Sequence, residues 1–137
     1  MFPALPPALA ARLHAVILAL AEAEVAEELD RTELGGVPRL PEVARVLESR
    51  MLGMPRHFAA GMIALTVVFG AHTRATHGAD FPSLSLADRR AVLARLRTLP
   101  LGPLKNFTTF FDKMAPFIFW SALEEHGELA LVLGVEP

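Results

Sequence analysis

The chain has 137 residues, a formal net charge of −2 and no cysteine. This length suits one domain with a core of its own, so we predict a single domain spanning residues 1–137. The slightly acidic balance argues against nucleic-acid binding, which needs clustered Lys and Arg to neutralise phosphates. The lack of cysteine excludes disulfides, thiolate nucleophiles and thiolate-ligated metals.

Two helices are predicted in the first part of the chain. Good helix formers fill residues 8–30, and apolar residues recur there on one face. Glycines and prolines in the segment 34–41 cannot continue this helix and indicate a connecting loop. Pro41 suits the first turn of a second helix, which is predicted to end near Gly53.

The third predicted helix follows Pro55 and is apolar around its whole circumference. Its principal stripe consists of Phe58, Met62, Leu65 and Phe69. All-round hydrophobicity is typical of a buried helix, so we predict that this helix lies at the centre of the fold. The apolar part, residues 58–71, is too short for a bilayer core, and we therefore predict no transmembrane segment.

A fourth and a fifth helix are predicted after a polar turn region at residues 72–82. Ser85 followed by Asp88 resembles a capping box and marks the start of the fourth helix. The fifth helix carries the aromatic segment 107–120 and is predicted to be kinked or divided at Pro116. No convincing strand alternation is present. The predicted fold class is thus all-α, a compact bundle of about five helices.

The aromatic segment contains six of the ten aromatic residues of the chain, which has nine Phe and one Trp. These six are Phe107, Phe110, Phe111, Phe117, Phe119 and Trp120. In a helix, the last three point away from the face that the first three share. Three exposed rings would leave about 450 to 750 Å² of apolar surface, against roughly 300 to 600 Å² for the largest patch on a typical monomer. We therefore expect a partner to cover this face.

No catalytic, cofactor-binding or metal site is predicted. His72 and His77 are five residues apart and do not share a helix face, so a metal site with Asp80 would need an irregular loop. Glu27 and Glu28 are adjacent on a helix and diverge, which excludes a facing carboxylate pair. The sequence has no dinucleotide fingerprint, P-loop or nucleophile elbow. Independent enzymatic activity is not expected.

A further pattern, F-x-x-L-S-x-x-x-R-x-x-x-L, lies at the entry to the fourth helix. It is formed by Phe81, Leu84, Ser85, Arg89 and Leu93. Ordinary helix chemistry accounts for it as two apolar anchors, a serine cap, an exposed arginine and a core leucine.

Together with the apolar third helix and the following L-x-x-L-K-N-F-x-x-F-F segment, this pattern resembles the small helical subunit of glucose/methanol/choline-type flavin dehydrogenases. The gluconate 2-dehydrogenase subunit 3 group and the helical N-terminal region of long-chain alcohol oxidases are similar. The likeness spans roughly residues 13–125. It departs from the pattern at residues 25–28, where relatives usually carry Ile and Pro, and there is no twin-arginine signal.

The resemblance implies a noncatalytic accessory subunit that binds and stabilises a larger FAD-dependent oxidoreductase subunit. FAD would then belong to the partner, and no cofactor would be bound by this chain. The predicted partner interface consists of Phe81, Leu84, Arg89, Phe107, Phe110, Phe111, Phe117, Phe119 and Trp120. Rings would fill pockets in the partner, and the arginine would pair with a carboxylate at the rim. The expected location is the cytoplasm, or the periplasm by co-export with the partner.

Two alternatives use the same side chains. In the first, the chain is a self-contained helical module that binds an apolar small molecule between the third and fifth helices. In the second, the aromatic face is self-complementary and the chain is a homodimeric interaction protein.

Overall fold

The computed structural model describes residues 6–29, 39–99 and 102–127, which contain five α-helices, one short 3₁₀ helix and no strand. The helices are α1 (Pro7–Glu28), α2 (Leu40–Leu52), α3 (Arg56–His77), α4 (Leu86–Thr98) and α5 (Gly102–Glu125), with the 3₁₀ turn Phe81–Ser83 between α3 and α4. The predicted all-α bundle of about five helices is confirmed. Most of the predicted loop at 34–41 lies outside the described residues.

Helix α1 is the centre of the bundle. It contacts α2, α3, α4 and α5, and every residue from 19 to 26 is buried. A buried run of this length exceeds two helical turns, so all sides of the helix are covered there. The prediction that α3 takes the central position is therefore wrong.

Helix α3 lies at the edge of the bundle and buries one face. The buried residues are Ala59, Met62, Ile63, Thr66, Phe69 and Thr73. On the other side, Val68 is 61% exposed and Phe58, predicted to be part of the buried stripe, is 58% exposed. Hydrophobicity around a helix does not distinguish a covered helix from one whose second apolar face has no neighbour in the chain.

By length and composition α3 could also cross a membrane, against the expectation that its apolar part is too short. Among the described residues it is the helix that meets this criterion, with a mean hydropathy of 1.3 over an 18-residue window. One third of that window, 33%, is buried inside the bundle. Core helices of soluble proteins meet the same criterion, but they are mostly buried.

Local signals correctly predict the ends of α4 but not a division of α5. The hydroxyl oxygen of Ser85 accepts a hydrogen bond from the backbone N–H of Asp88 at 3.2 Å, which confirms the N-cap. Helix α5 continues through Pro116 without division. It packs mainly against α1, α2 and α4, with a smaller contact to α3, and these neighbours widen the arc of its surface that is buried.

Candidate functional site

The aromatic segment of α5 lies mostly inside the bundle. Phe107, Phe111 and Phe119 are fully buried, while Phe110 and Trp120 are half-buried and pack against the core. Only Phe117, 59% exposed, has its ring largely in solvent. The expectation of three exposed rings is therefore wrong. The folded chain does not expose the roughly 450 to 750 Å² of apolar surface that three exposed rings would give. It therefore gives no reason to expect a partner at this face.

These rings belong to a cluster that joins three elements of the fold. The ring of Phe69 on α3 lies 4.7 Å from that of Phe81 in the 3₁₀ turn and 5.9 Å from that of Phe107 on α5, measured between centroids. Phe107 in turn lies 5.1 Å from Phe111 in an edge-to-face arrangement. Such pairs add to the stabilisation from burial alone. The cluster thus accounts for the high aromatic content through internal packing.

The three remaining predicted interface residues, Phe81, Leu84 and Arg89, are also buried. The Arg89 guanidinium donates to a Glu22 carboxylate oxygen at 2.7 Å and to the backbone oxygens of Leu84 at 3.2 Å and Pro82 at 2.9 Å. It also lies 5.9 Å from the centre of the Phe81 ring. Arg89 was predicted to be exposed at the rim of an interface. Instead it joins α4 to α1, which corrects that assignment.

A second arginine, Arg97, holds three carboxylates where α1, α4 and α5 meet. Its guanidinium lies 2.9 Å from Glu24, 2.9 Å from Asp112 and 3.3 Å from Glu27. The pKa of Glu24 is raised to about 8, mainly by burial and then by the hydrogen bond with Asp112 and its negative charge, against the opposing charge of Arg97. Burial alone would lower the pKa of Arg97. The hydrogen bond to Asp112 and the surrounding carboxylates outweigh burial, so the pKa of Arg97 is raised.

Perturbed carboxyl groups of this kind also occur in active sites. Neither Glu24 nor Asp112 lines the cavity described below, and the contacts of Arg97 are all with residues of the bundle itself. We therefore interpret both arginine clusters as structural. The sequence signal that could have revealed them is the pair Glu22 and Glu24, because two acids interrupt the apolar run of a helix.

The exposed apolar surface lies on α3 rather than on α5. Its side chains, which we call the outer face of α3, are Phe58, Ala60, Gly61, Ala64 and Val68. No Asp, Glu, Lys or Arg occurs between Arg56 and Arg74. The five side chains of the outer face are therefore uncharged, and the exposed ring of His57 lies 4.3 Å from that of Phe58. Ala60, Gly61 and Ala64 are small residues that let another backbone approach closely.

A cavity of about 630 Å³ lies between α1 and α3, next to the 3₁₀ turn. It is lined by Arg12, Leu13, Ala15, Val16, Thr66, Val67, Gly70, Ala71, Arg74, Ala75, Asp80, Phe81 and Pro82. A ligand cavity was predicted between the third and fifth helices. This one instead uses the side of α3 that faces the first half of α1.

The histidines of the turn region are exposed and do not form a ligand cluster. His72, His77 and Asp80 all lie at the surface. His77 Nδ1 is 2.9 Å from the hydroxyl of Thr76, and Asp80 is 3.8 Å from Arg74. Within the described part of the chain, no group of three His, Asp or Glu side chains could hold a metal ion.

Comparison with known proteins adds no relative. No family model matches the sequence, and neither the curated proteins nor the solved structures contain a significant match. The likeness to flavin dehydrogenase small subunits therefore rests on the motif residues alone.

Proposed function

We propose that the chain is a noncatalytic accessory subunit that docks through the outer face of α3 onto a larger, FAD-dependent oxidoreductase subunit. The observation that carries the docking surface is the exposure of Phe58 and Val68 on a helix with no charge between Arg56 and Arg74. The choice of a flavin enzyme as the partner rests on the sequence resemblance.

Three physical features favour docking at this face. Burying its five side chains removes no Asp, Glu, Lys or Arg from water, which lowers the desolvation cost of the interface. Ala60, Gly61 and Ala64 allow a partner helix to approach closely, as small residues do in tightly packed helix pairs. Phe58, at one edge, can serve as the aromatic anchor that interfaces commonly place in a pocket of the partner.

The test is co-purification with a candidate FAD-dependent oxidoreductase from the same organism, using two matched substitutions. Phe58→Asp places a charge on the outer face of α3, and Phe117→Asp places one on α5 at a ring of equal exposure, 58% against 59%. We expect Phe58→Asp to abolish co-purification and Phe117→Asp to retain it. The reverse result would return the interface to α5.

Two further outcomes reject the proposal. If the wild-type chain never co-purifies with the enzyme, and the enzyme has its normal flavin content without it, the accessory function is wrong. If light scattering shows a homodimer of the chain alone that Phe58→Asp dissociates, the outer face serves self-association instead.

A further inference from the structure

We propose that the cavity between α1 and α3 binds a single-chain amphipathic carboxylate of the fatty-acid class. The hydrocarbon chain would lie between the two helices, and the carboxylate would lie at the mouth beside Arg12 and Arg74. This site is distinct from the outer face of α3, so it adds a ligand to the proposed accessory function and does not depend on it.

The walls of the cavity suit a hydrocarbon chain. Small side chains on both helices, including Ala15, Gly70 and Ala75, leave the space open, and Val16 and Val67 contribute branched apolar surface. The volume of about 630 Å³ falls within the range of roughly 300 to 1,000 Å³ that is typical of small-molecule sites.

The interior of the cavity makes little polar demand on a ligand. Thr66 is the lining residue with a hydroxyl group. It is buried, and its hydroxyl already donates to the backbone oxygen of Met62 at 2.7 Å. A hydrocarbon chain can therefore lie against this wall without depriving the Thr66 hydroxyl of its hydrogen-bond partner.

The charged lining residues determine which head group fits. They are Arg12, Arg74 and Asp80, two cations and one anion. Arg74 lies 3.8 Å from Asp80, whereas no ion pair or hydrogen bond joins Arg12 to another residue within the described ranges. The surplus positive charge favours an anionic head group, and a guanidinium can bind a carboxylate through two parallel hydrogen bonds.

The head group is tested by calorimetric titration of the full chain with decanoate and with decanol, below the concentration at which micelles form. We expect saturable binding of one decanoate per chain. Decanoate should bind about fivefold more tightly than decanol. The preference is modest because the arginines lie at a mouth that is open to solvent, where charge pairs contribute little. Arg12→Gln should reduce that preference toward one. Equal binding of decanoate and decanol by the wild type would overturn the carboxylate assignment.

The location is tested by filling the cavity from one of two glycines of α3. A Cβ atom added at Gly70 or at Gly61 meets no atom of another element within 4 Å, but only Gly70 lines the cavity. Gly70→Leu should weaken decanoate binding by about tenfold or more, and Gly61→Leu should leave it within about twofold.

If Gly70→Leu does not fold, the smaller substitution Gly70→Ala replaces it. Gly70→Ala should also weaken decanoate binding measurably. Absence of saturable decanoate binding by the wild type, or wild-type binding by the folded Gly70 variants, would overturn the site. Because Gly70 is not on the outer face, its variants should still co-purify with the oxidoreductase. Failure of the ligand site is thereby distinguished from failure of the accessory function.

Discussion

Helices α3 and α5 are both long and apolar, with 22 and 24 residues, yet they differ in how many of their large apolar side chains are buried. The aromatic helix α5 packs against α1, α2 and α4, and its neighbours bury Phe107, Phe111 and Phe119. Helix α3, rich in alanine and glycine, lies at the edge and leaves Phe58 and Val68 in solvent. The number of aromatic residues in a helix therefore does not predict how much apolar surface the helix exposes. What matters is how extensively the neighbouring helices cover the surface of the helix.

The largest expected effect tests whether the aromatic helix belongs to the core. Phe119→Ala should lower the free energy of unfolding by about 3 to 5 kcal/mol, because it removes a fully buried ring and leaves a cavity. Phe117→Ala, two residues away and largely exposed, should change it by no more than about 0.5 kcal/mol. Urea denaturation measures both. Similar values for the two variants would contradict the packing of α5.

The buried polar contacts of α1 offer the next test. Arg89→Leu removes the ion pair in which Arg89 lies 2.7 Å from the buried Glu22 carboxylate, and we expect a loss of about 3 kcal/mol in the free energy of unfolding. The double variant with Glu22→Leu should recover most of that loss, because both charges of the buried pair are then replaced by apolar side chains.

The matched control for this pair is Arg74→Leu at the edge of the bundle. Arg74 and Asp80 are exposed and 3.8 Å apart, and such pairs contribute about 0 to 1 kcal/mol. Urea denaturation measures the free energy of unfolding of the three variants. A loss at Arg89 no larger than at Arg74 would mean that the arginine does not connect α4 to the central helix.

A pH profile sharpens the same contrast between the centre and the edge. The folded pKa of Glu24 is about 8, raised from 4.5 mainly by burial, so the folded state keeps a proton that the unfolded state releases. Stability should therefore fall as pH rises from about 4.5 to about 8, by about 1.4 kcal/mol per pH unit, and become constant above that.

Glu24→Gln should flatten this decline, since the amide cannot release a proton. Glu28→Gln, an exposed position on the same helix, is the control that removes a carboxylate outside the buried cluster. Thermal melts between pH 4.5 and 8.5 measure the slopes. A wild-type slope in the Glu24→Gln chain would show that the decline originates elsewhere.

Local chemistry made the helices predictable, whereas their surroundings were not. The cap at Ser85 and the prolines locate helix ends because those signals act within one turn. The burial of Phe119 depends on which helices pack against α5. The pairing of Arg89 with Glu22 joins residues 67 positions apart, and the cavity at Gly70 exists only because α1 lies opposite. Periodicity along one helix contains no information on these arrangements.

The smallest expected effect concerns the outer face of α3 directly. Gly61→Ala should raise the free energy of unfolding by about 1 kcal/mol, because alanine is the better helix former and its methyl group meets no other element within 4 Å. Gly78→Ala should lower it by about 1 kcal/mol, since φ is +70° at this helix end. Thermal melts measure both changes. A destabilising Gly61→Ala would mean that another part of the chain covers this face, and the contrast between α3 and α5 would then disappear. A stabilised Gly61→Ala chain that also loses affinity for the oxidoreductase would place the partner's backbone against the helix at Gly61.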